Sequence, residues 1–112
     1  MNIEKKILVG PTDTDPYNIV HHPVYFNWME EAILQWILET YGSLNSISYQ
    51  IDKFQCKFIS PARLYDELIL HLHSKRIGKS FLFQGKIIDK KNNTLCVDET
   101  FYLRIEGEIY EE

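Results

Sequence analysis

The stretch Pro23-Val24-Tyr25-Phe26-Asn27-Trp28-Met29-Glu30-Glu31-Ala32-Ile33-Leu34-Gln35-Trp36-Ile37-Leu38-Glu39-Thr40-Tyr41-Gly42 decides the fold. Pro23 suits the first turn of a helix, where its missing N–H costs nothing, and Gly42 supplies the stop after Tyr41. The polar residues Asn27, Glu30, Glu31, Gln35 and Glu39 fall on one stripe of that helix. Nearly everything else is apolar, including Val24, Phe26, Trp28, Met29, Ile33, Trp36 and Ile37. A helix apolar over most of its circumference must be covered on more than one side. One flat sheet face covers only one side, so a strongly curled sheet or a second subunit is needed.

Downstream of Gly42 the hydrophobic period changes. Residues 49–59, 66–77, 80–90 and 94–105 read as strands rich in Ile, Leu, Phe and Tyr. Ser60-Pro61-Ala62-Arg63 separates the first from the second, and Ile77-Gly78-Lys79 and Lys91-Asn92-Asn93 read as hairpin turns. Upstream, residues 2–9 form a short strand ending at Gly10-Pro11, and residues 11–21 form a loop. Short connections imply antiparallel neighbours. The expected fold class is therefore α+β, one long helix packed in a curved antiparallel sheet.

The bulk properties narrow the function classes. At 112 residues and 45% hydrophobic content, the chain supplies one core, hence one domain over residues 1–112. A net charge of -4 without a basic stripe argues against a nucleic-acid partner. No apolar run reaches the roughly 18 residues of a membrane span. Met1-Asn2-Ile3-Glu4-Lys5-Lys6 lacks the apolar stretch of a signal peptide, which makes a cytoplasmic location the expectation. Cys56 and Cys96 lie far apart with no C-x-x-C pair and read as two reduced, buried thiols.

The chemistry concentrates just before the helix, in Thr12-Asp13-Thr14-Asp15-Pro16-Tyr17-Asn18-Ile19-Val20-His21-His22. An acid at this point sits near the unpaired backbone N–H groups of a helix start. Those groups can polarise a carbonyl while the acid attacks it or activates water, a layout suited to acyl transfer. Asp13 and Asp15 are equally the residue type that caps turns and helices. A metal site from Asp13, Asp15, His21 and His22 lacks the spaced signature of a zinc site. His71 and His73 alternate on one strand face, which fits a metal pair or a solvated face.

The element order and the Asp15 segment resemble the hot-dog fold and, within it, the 4-hydroxybenzoyl-CoA thioesterase family. The matching text is Asp13-Thr14-Asp15-Pro16-Tyr17-Asn18-Ile19-Val20, then Tyr25-Phe26-Asn27-Trp28-Met29-Glu30, then Ser60-Pro61-Ala62-Arg63 with Asp66-Glu67-Leu68, and Gly78-Lys79-Ser80-Phe81. The resemblance implies Asp15 as the catalytic carboxylate and the backbone N–H of His22 as the carbonyl polariser. It also implies Lys79, with Ser80 beside it, as a contact to CoA. One branch, associated with the Tol–Pal cell-envelope system, places a His seven residues after the catalytic Asp, and Asp15 and His22 share that spacing. The chain departs from the family pattern at three places: Asn18 replaces a Gly, Pro11 replaces that branch's Tyr, and Val24 replaces a frequent Asn. Asn is the side chain most tolerant of positive φ after Gly, so the turn survives.

What the resemblance implies for function is hydrolysis of an acyl-CoA or acyl carrier protein thioester, with no cofactor. Asp15 would act as nucleophile or as general base; Tyr17 and Glu30 are the further candidates to touch substrate. Glu30 and Glu31 either reach the acyl pocket or simply belong to the polar stripe, and Tyr17, Tyr25 and Trp28 either line that pocket or belong to the core. The basic group Lys75, Arg76 and Lys79 matches phosphates or a solvated hairpin end. Family members form homodimers that often pair into homotetramers, which suits a helix needing cover on several sides. Two rivals stand beside this reading. A hot-dog hydratase or dehydratase uses an Asp and a His as acid and base, with five-residue spacing in one group, whereas Asp15 lies six residues from His21 and seven from His22. A non-catalytic acyl-CoA-binding protein would bind ligand without releasing thiol.

Overall fold

The computed structural model describes residues 2–43, 45 and 47–107. Strand β1 (Asn2–Leu8) is followed by a single 3-10 turn at Pro11–Asp13 and the helix α1 (His22–Tyr41). Four strands follow: β2 (Ile47–Phe58), β3 (Glu67–Ile77), β4 (Ser80–Asp89) and β5 (Thr94–Gly107). They form one five-stranded antiparallel sheet in the order β1-β3-β4-β5-β2.

The expected elements are present, and one expected neighbour is not. β2 and β3 are joined by a short connection but do not pair; β2 lies on β5, at the far edge of the sheet. The connection over residues 59–66 crosses from one side of the sheet to the other. Its backbone bonds explain why it cannot turn as a hairpin. Ile59 and Ser60 N–H both donate to the Cys96 carbonyl on β5, and Val9 N–H, at the end of β1, donates to the Asp66 carbonyl. The β3–β4 and β4–β5 hairpins do form where the turn residues stand, with Gly78 at φ 61° and Asn93 at φ 52°.

α1 begins at His22, one residue before Pro23, with His21 as its N-cap and no side-chain capping bond. It stops at Gly42, whose φ of 80° lets its N–H reach back to the Leu38 carbonyl at 2.8 Å. The helix lies across the concave face of the sheet. Tyr25, Met29, Ala32, Ile33, Trp36 and Ile37 are buried, a helical spacing that faces Leu68, Leu70 and Leu72 of β3, Phe83 and Ile87 of β4, and Val97, Phe101 and Leu103 of β5. Each large aliphatic side chain taken fully from water contributes about 1.5–3 kcal/mol. Rings lock the two ends of the helix. Trp36 meets Phe83 edge-on at 4.9 Å, and Phe26 meets Phe54 and Phe101 at 5.1 and 5.7 Å. Cover is incomplete: Leu38 remains 46% exposed, and Val24, Phe26 and Trp28 are half-buried.

Gly85 shows how closely helix and sheet approach. It is buried on β4, and a Cβ placed there would collide with the Sδ and Cε atoms of Met29 on α1. Overfilling a packed core typically costs about 1–3 kcal/mol. Gly85→Ala is therefore expected to lower unfolding free energy by about that amount in urea denaturation. Combined with Met29→Ala, which empties the space, its cost should fall well below its value alone. Strict additivity of the two substitutions would show that the contact is not the cause.

Candidate active site

Residues 14–20 fold into a miniature hairpin, closed by a bridge between Thr14 and Val20. Its tip is Asp15-Pro16-Tyr17-Asn18, in which Asn18 N–H donates to the Asp15 carbonyl at 3.0 Å and Asp15 N–H donates to the Ile19 carbonyl at 2.9 Å. Pro16 pre-sets the turn, and Asn18 takes the left-handed conformation at φ 62°. The Asp15 carboxylate accepts the Tyr17 N–H at 2.8 Å and, more weakly, the Ile19 N–H at 3.4 Å, both through Oδ1. Oδ2 accepts no hydrogen bond among the described residues. Asp13 is spent differently: its Oδ2 accepts the Gly10 N–H at 2.9 Å while its own N–H returns to the Gly10 carbonyl at 3.0 Å, closing the 3-10 turn.

Three backbone contacts fix this hairpin to the rest. His21 N–H donates to the Asp13 carbonyl at 3.0 Å, Leu64 N–H to the Asn18 carbonyl at 2.9 Å, and Val20 N–H to the Ala62 carbonyl at 2.8 Å. Ala62 N–H in turn donates to the Tyr25 hydroxyl on α1 at 3.0 Å, wholly buried. The Asp15 turn, the start of α1 and the 59–66 crossover are thereby one connected unit.

A cavity of about 340 Å³ opens beside the turn, lined by Asp15, Ile19, Val20, His21 and His22. A second, of about 140 Å³, shares Ile19, Val20 and His22 and continues past Tyr25 and Phe58. The His22 backbone N–H, first in the helix, has no hydrogen-bond partner among the described residues, as helix geometry dictates. Its imidazole does not turn back to Asp15. It stacks flat on Phe58, with centroids 3.8 Å apart and planes 5° from parallel. Phe58 did not stand out in the sequence, although alternation along β2 puts it on the same face as Phe54 and Cys56 and so toward the helix.

The other predicted residues lie at varied distances from this cleft. Tyr17 is at the turn, 82% exposed. Glu30 is eight residues along α1 from His22, about 12 Å of helix, and accepts the Tyr49 hydroxyl at 3.0 Å; it does not line the two cavities. Lys79 and Ser80 are at the β3–β4 hairpin. From the Leu68–Asp89 pair to the Ile77–Ser80 pair the ladder runs nine residues, about 30 Å, away from the Asp15 turn. Within one chain they do not meet Asp15. His71 and His73 share the outer face of β3, with Nδ1 of His71 3.8 Å from Glu4 Oε2 and Nδ1 of His73 2.6 Å from Asn2 Oδ1. No group of three His, Cys, Asp or Glu side chains is arranged to hold a metal among the described residues.

One buried acid escaped the sequence reading. Glu99 on β5 is 1% exposed, lies between Cys56 of β2 and Gly85 of β4, and has Oε2 without a partner among the described residues. Burial pushes its carboxyl up to about 7, against a smaller lowering by the Cys56 hydrogen bond. Burial, reinforced by Glu99, pushes the Cys56 thiol up to about 12, so it stays a thiol. The signal was available: Val97, Glu99, Phe101 and Leu103 alternate, which places the acid on the core face.

Comparison with known proteins adds a family and a fold. The sequence profile of the thioesterase superfamily matches residues 17–96. No curated protein is matched. Among solved structures, a 1,4-dihydroxy-2-naphthoyl-CoA thioesterase from Synechocystis superposes with a TM-score of 0.81 at 17% identity, covering 96% of this chain and 83% of that one. A gentisyl-coenzyme A thioesterase superposes with a TM-score of 0.80 at 21% identity, covering 95% of this chain and 89% of that one.

Glu99 makes stability depend on pH. Its folded-state pKa is raised, so its favourable contribution is complete below pH 4.5, the ordinary value, and is lost as pH rises through about 7. Ionising it in place costs about 3 kcal/mol. Glu99→Gln should therefore gain on the wild type by roughly that amount between pH 4 and pH 8 in urea titrations. A wild-type-to-variant difference that stays flat over this window would show that Glu99 does not titrate in the folded protein.

Proposed function

The chain belongs to the thioesterase superfamily and has the hot-dog fold, and on that premise we propose that it hydrolyses an acyl-CoA or acyl carrier protein thioester, using Asp15 and the amide of His22. The single observation that carries this reading is the shared cavity beside the turn. Asp15 and His22 line it together, with one carboxylate oxygen and one helix-start N–H both without partners among the described residues.

In the general-base route, the thioester carbonyl oxygen accepts the His22 N–H. Asp15 takes a proton from water as hydroxide adds to the carbonyl carbon. The tetrahedral oxyanion is held by the same N–H, a contact worth about 3–4 kcal/mol in acyl-transfer sites. Collapse breaks the carbon–sulfur bond, and the thiolate recovers the proton from Asp15, giving free acid and thiol. In the nucleophilic route, an Asp15 oxygen adds to the same carbon, thiolate leaves, and water cleaves the resulting mixed anhydride. Both use the same geometry. Tyr17, exposed on the turn that carries Asp15, offers a ring to the incoming ligand. Stacking on Phe58 fixes the His22 imidazole as a wall of the cleft rather than as a partner for the acid.

A second copy of the chain completes the assembly in this proposal. β2 is an edge strand; Phe54 and Phe58 on it are 42% and 47% exposed, and Ile59 just past its end is 53% exposed. An apolar edge strand left open is a template for pairing. Joining two β2 strands covers these side chains in a homodimer. Lys79, Ser80 and Glu30 contribute to the cleft only through such an assembly, or through its pairing into a homotetramer.

Two measurements check this. Asp15→Asn keeps an oxygen that can accept the Tyr17 N–H but removes the base and nucleophile. It should leave the melting temperature nearly unchanged and lower kcat/KM by about 10²–10⁴-fold in a thiol-release assay over short, long and aromatic acyl-CoAs. Turnover within a few-fold of wild type would reduce Asp15 to a turn cap. Light scattering on the purified protein should give at least twice the chain mass of 13.3 kDa at micromolar concentration. A monomer there would remove the proposed dimer.

A further inference from the structure

A third cavity, of about 310 Å³, begins where the second ends. It shares Ser60 and Pro61 with the Phe58 cavity and is otherwise lined by polar residues, among them Arg63, Lys91, Asn92 and Thr94. Ile19, Val20 and His22 are common to the first two spaces, and Ser60 and Pro61 to the last two, so the three form a row. It starts at Asp15 and the His22 N–H, passes the apolar side chains of Phe58 and Ile59, and ends at the β4–β5 hairpin.

We infer that this polar end holds the phosphates of the substrate's carrier group, with Arg63 and Lys91 of the same chain as the phosphate-binding residues. The inference rests on the thioesterase reading above and deepens it by giving the substrate a direction. Both cations are exposed, and neither forms an ion pair among the described residues, although two carboxylates line the same cavity. The reason is local. Asp66 Oδ2 accepts the Arg63 N–H at 2.8 Å, and Asp89 Oδ1 accepts the Lys91 N–H at 3.0 Å, with Asp89 91% buried. Each acid is committed to the backbone of the residue whose side chain it would otherwise pair. The acids shape the two loops, and the guanidinium and ammonium project from them. Their charge tempers the attraction, so the site suits a ligand held by directed donors (guanidinium, ammonium, the Asn92 amide and the Thr94 hydroxyl) rather than by field alone. The apolar middle of the groove suits an uncharged arm between the thioester and the phosphates. Lys79, about 30 Å along the ladder, cannot serve this end from the same chain.

Calorimetric titration with coenzyme A and with pantetheine, which lacks the phosphates, tests this without any turnover. The wild type should bind coenzyme A about tenfold or more tightly than pantetheine. In Arg63→Ala/Lys91→Ala that preference should fall to about threefold or less, while pantetheine affinity stays within about twofold. Arg63→Lys/Lys91→Arg should keep the preference, which excludes a general loss of loop structure. The inference is overturned if the alanine pair keeps the full preference, if the wild type has none, or if the alanine pair weakens both ligands equally. Its failure is separable from that of the hydrolytic reading. Active Asp15→Asn with the preference intact sinks hydrolysis by Asp15 alone, and normal thiol release with no phosphate preference sinks this inference alone.

Discussion

The backbone of Ala62 is the knot on which the cleft depends. Its carbonyl takes the Val20 N–H at the base of the Asp15 hairpin, and its N–H reaches the Tyr25 hydroxyl in the first turns of α1. Ala62 is fully buried, so neither bond competes with water, and either group left unpaired would cost about 1–3 kcal/mol. The Asp15 hairpin and the helix start, neighbours in sequence, are thereby tied to a crossover 37 residues beyond Tyr25.

How much of this could be read from residues alone varies with the range of the forces involved. α1 was legible because its signals are local: Pro23, the stripe of Asn27 to Glu39, and Gly42. The two hairpins were legible from Gly78 and Asn93, because a positive φ demands those residues. The position of β2 was not. Whether residues 47–58 pair with β3 or β5 is decided by which arrangement wraps the sheet around the helix, a property of the whole sheet with no local marker. Short connection length pointed to β3, and the bonds of Ile59 and Ser60 to Cys96 overruled it. Asp15 and His22 were placed side by side through resemblance and helix-start physics. The ring on which His22 stacks came from β2, so it stayed hidden as long as β2 had no place. Glu99 was legible in principle from alternation, but an acid in a strand reads first as solvent-facing.

The same geometry decides what the two imidazole and carboxylate groups can do. Asp15 and His22 share the seven-residue spacing of one family branch, yet the His22 side chain makes no hydrogen bond to Asp15. Stacked against Phe58 at 3.8 Å, the ring is instead committed to the cleft wall, and what His22 offers the cavity is its amide. Asp15 divides its labour between its two oxygens. Oδ1 holds the turn through Tyr17, and Oδ2 is left over. Capping and catalysis are therefore not exclusive roles for this carboxylate. The cap is what aims the second oxygen, because rotation of the carboxylate would break the 2.8 Å bond that closes the turn.

A site aimed in this way owes its shape to backbone bonds more than to a network of side chains. The fixed points are mostly carbonyls and N–H groups, those of Asp13, Asp15, Asn18, Val20, Ala62 and Leu64, with side-chain atoms added by Asp13, Thr14, Asp15, Tyr25 and Asp66. Backbone groups are present whatever the residue, so the walls are free to differ in chemistry while the acid and the amide keep their places. The side chains of Phe58 and Ile59 contribute surface to the groove and no hydrogen bond to its frame. Substitution at those positions changes what fits, whereas substitution at Ala62 or Asn18 changes whether there is a cleft. Asn18 is the sharper of the two, since a β-branched side chain at φ 62° would work against the turn itself. The division explains how a chain at 17–21% identity to its structural neighbours keeps their architecture: what the fold requires is a small set of backbone conformations, and many sequences satisfy it.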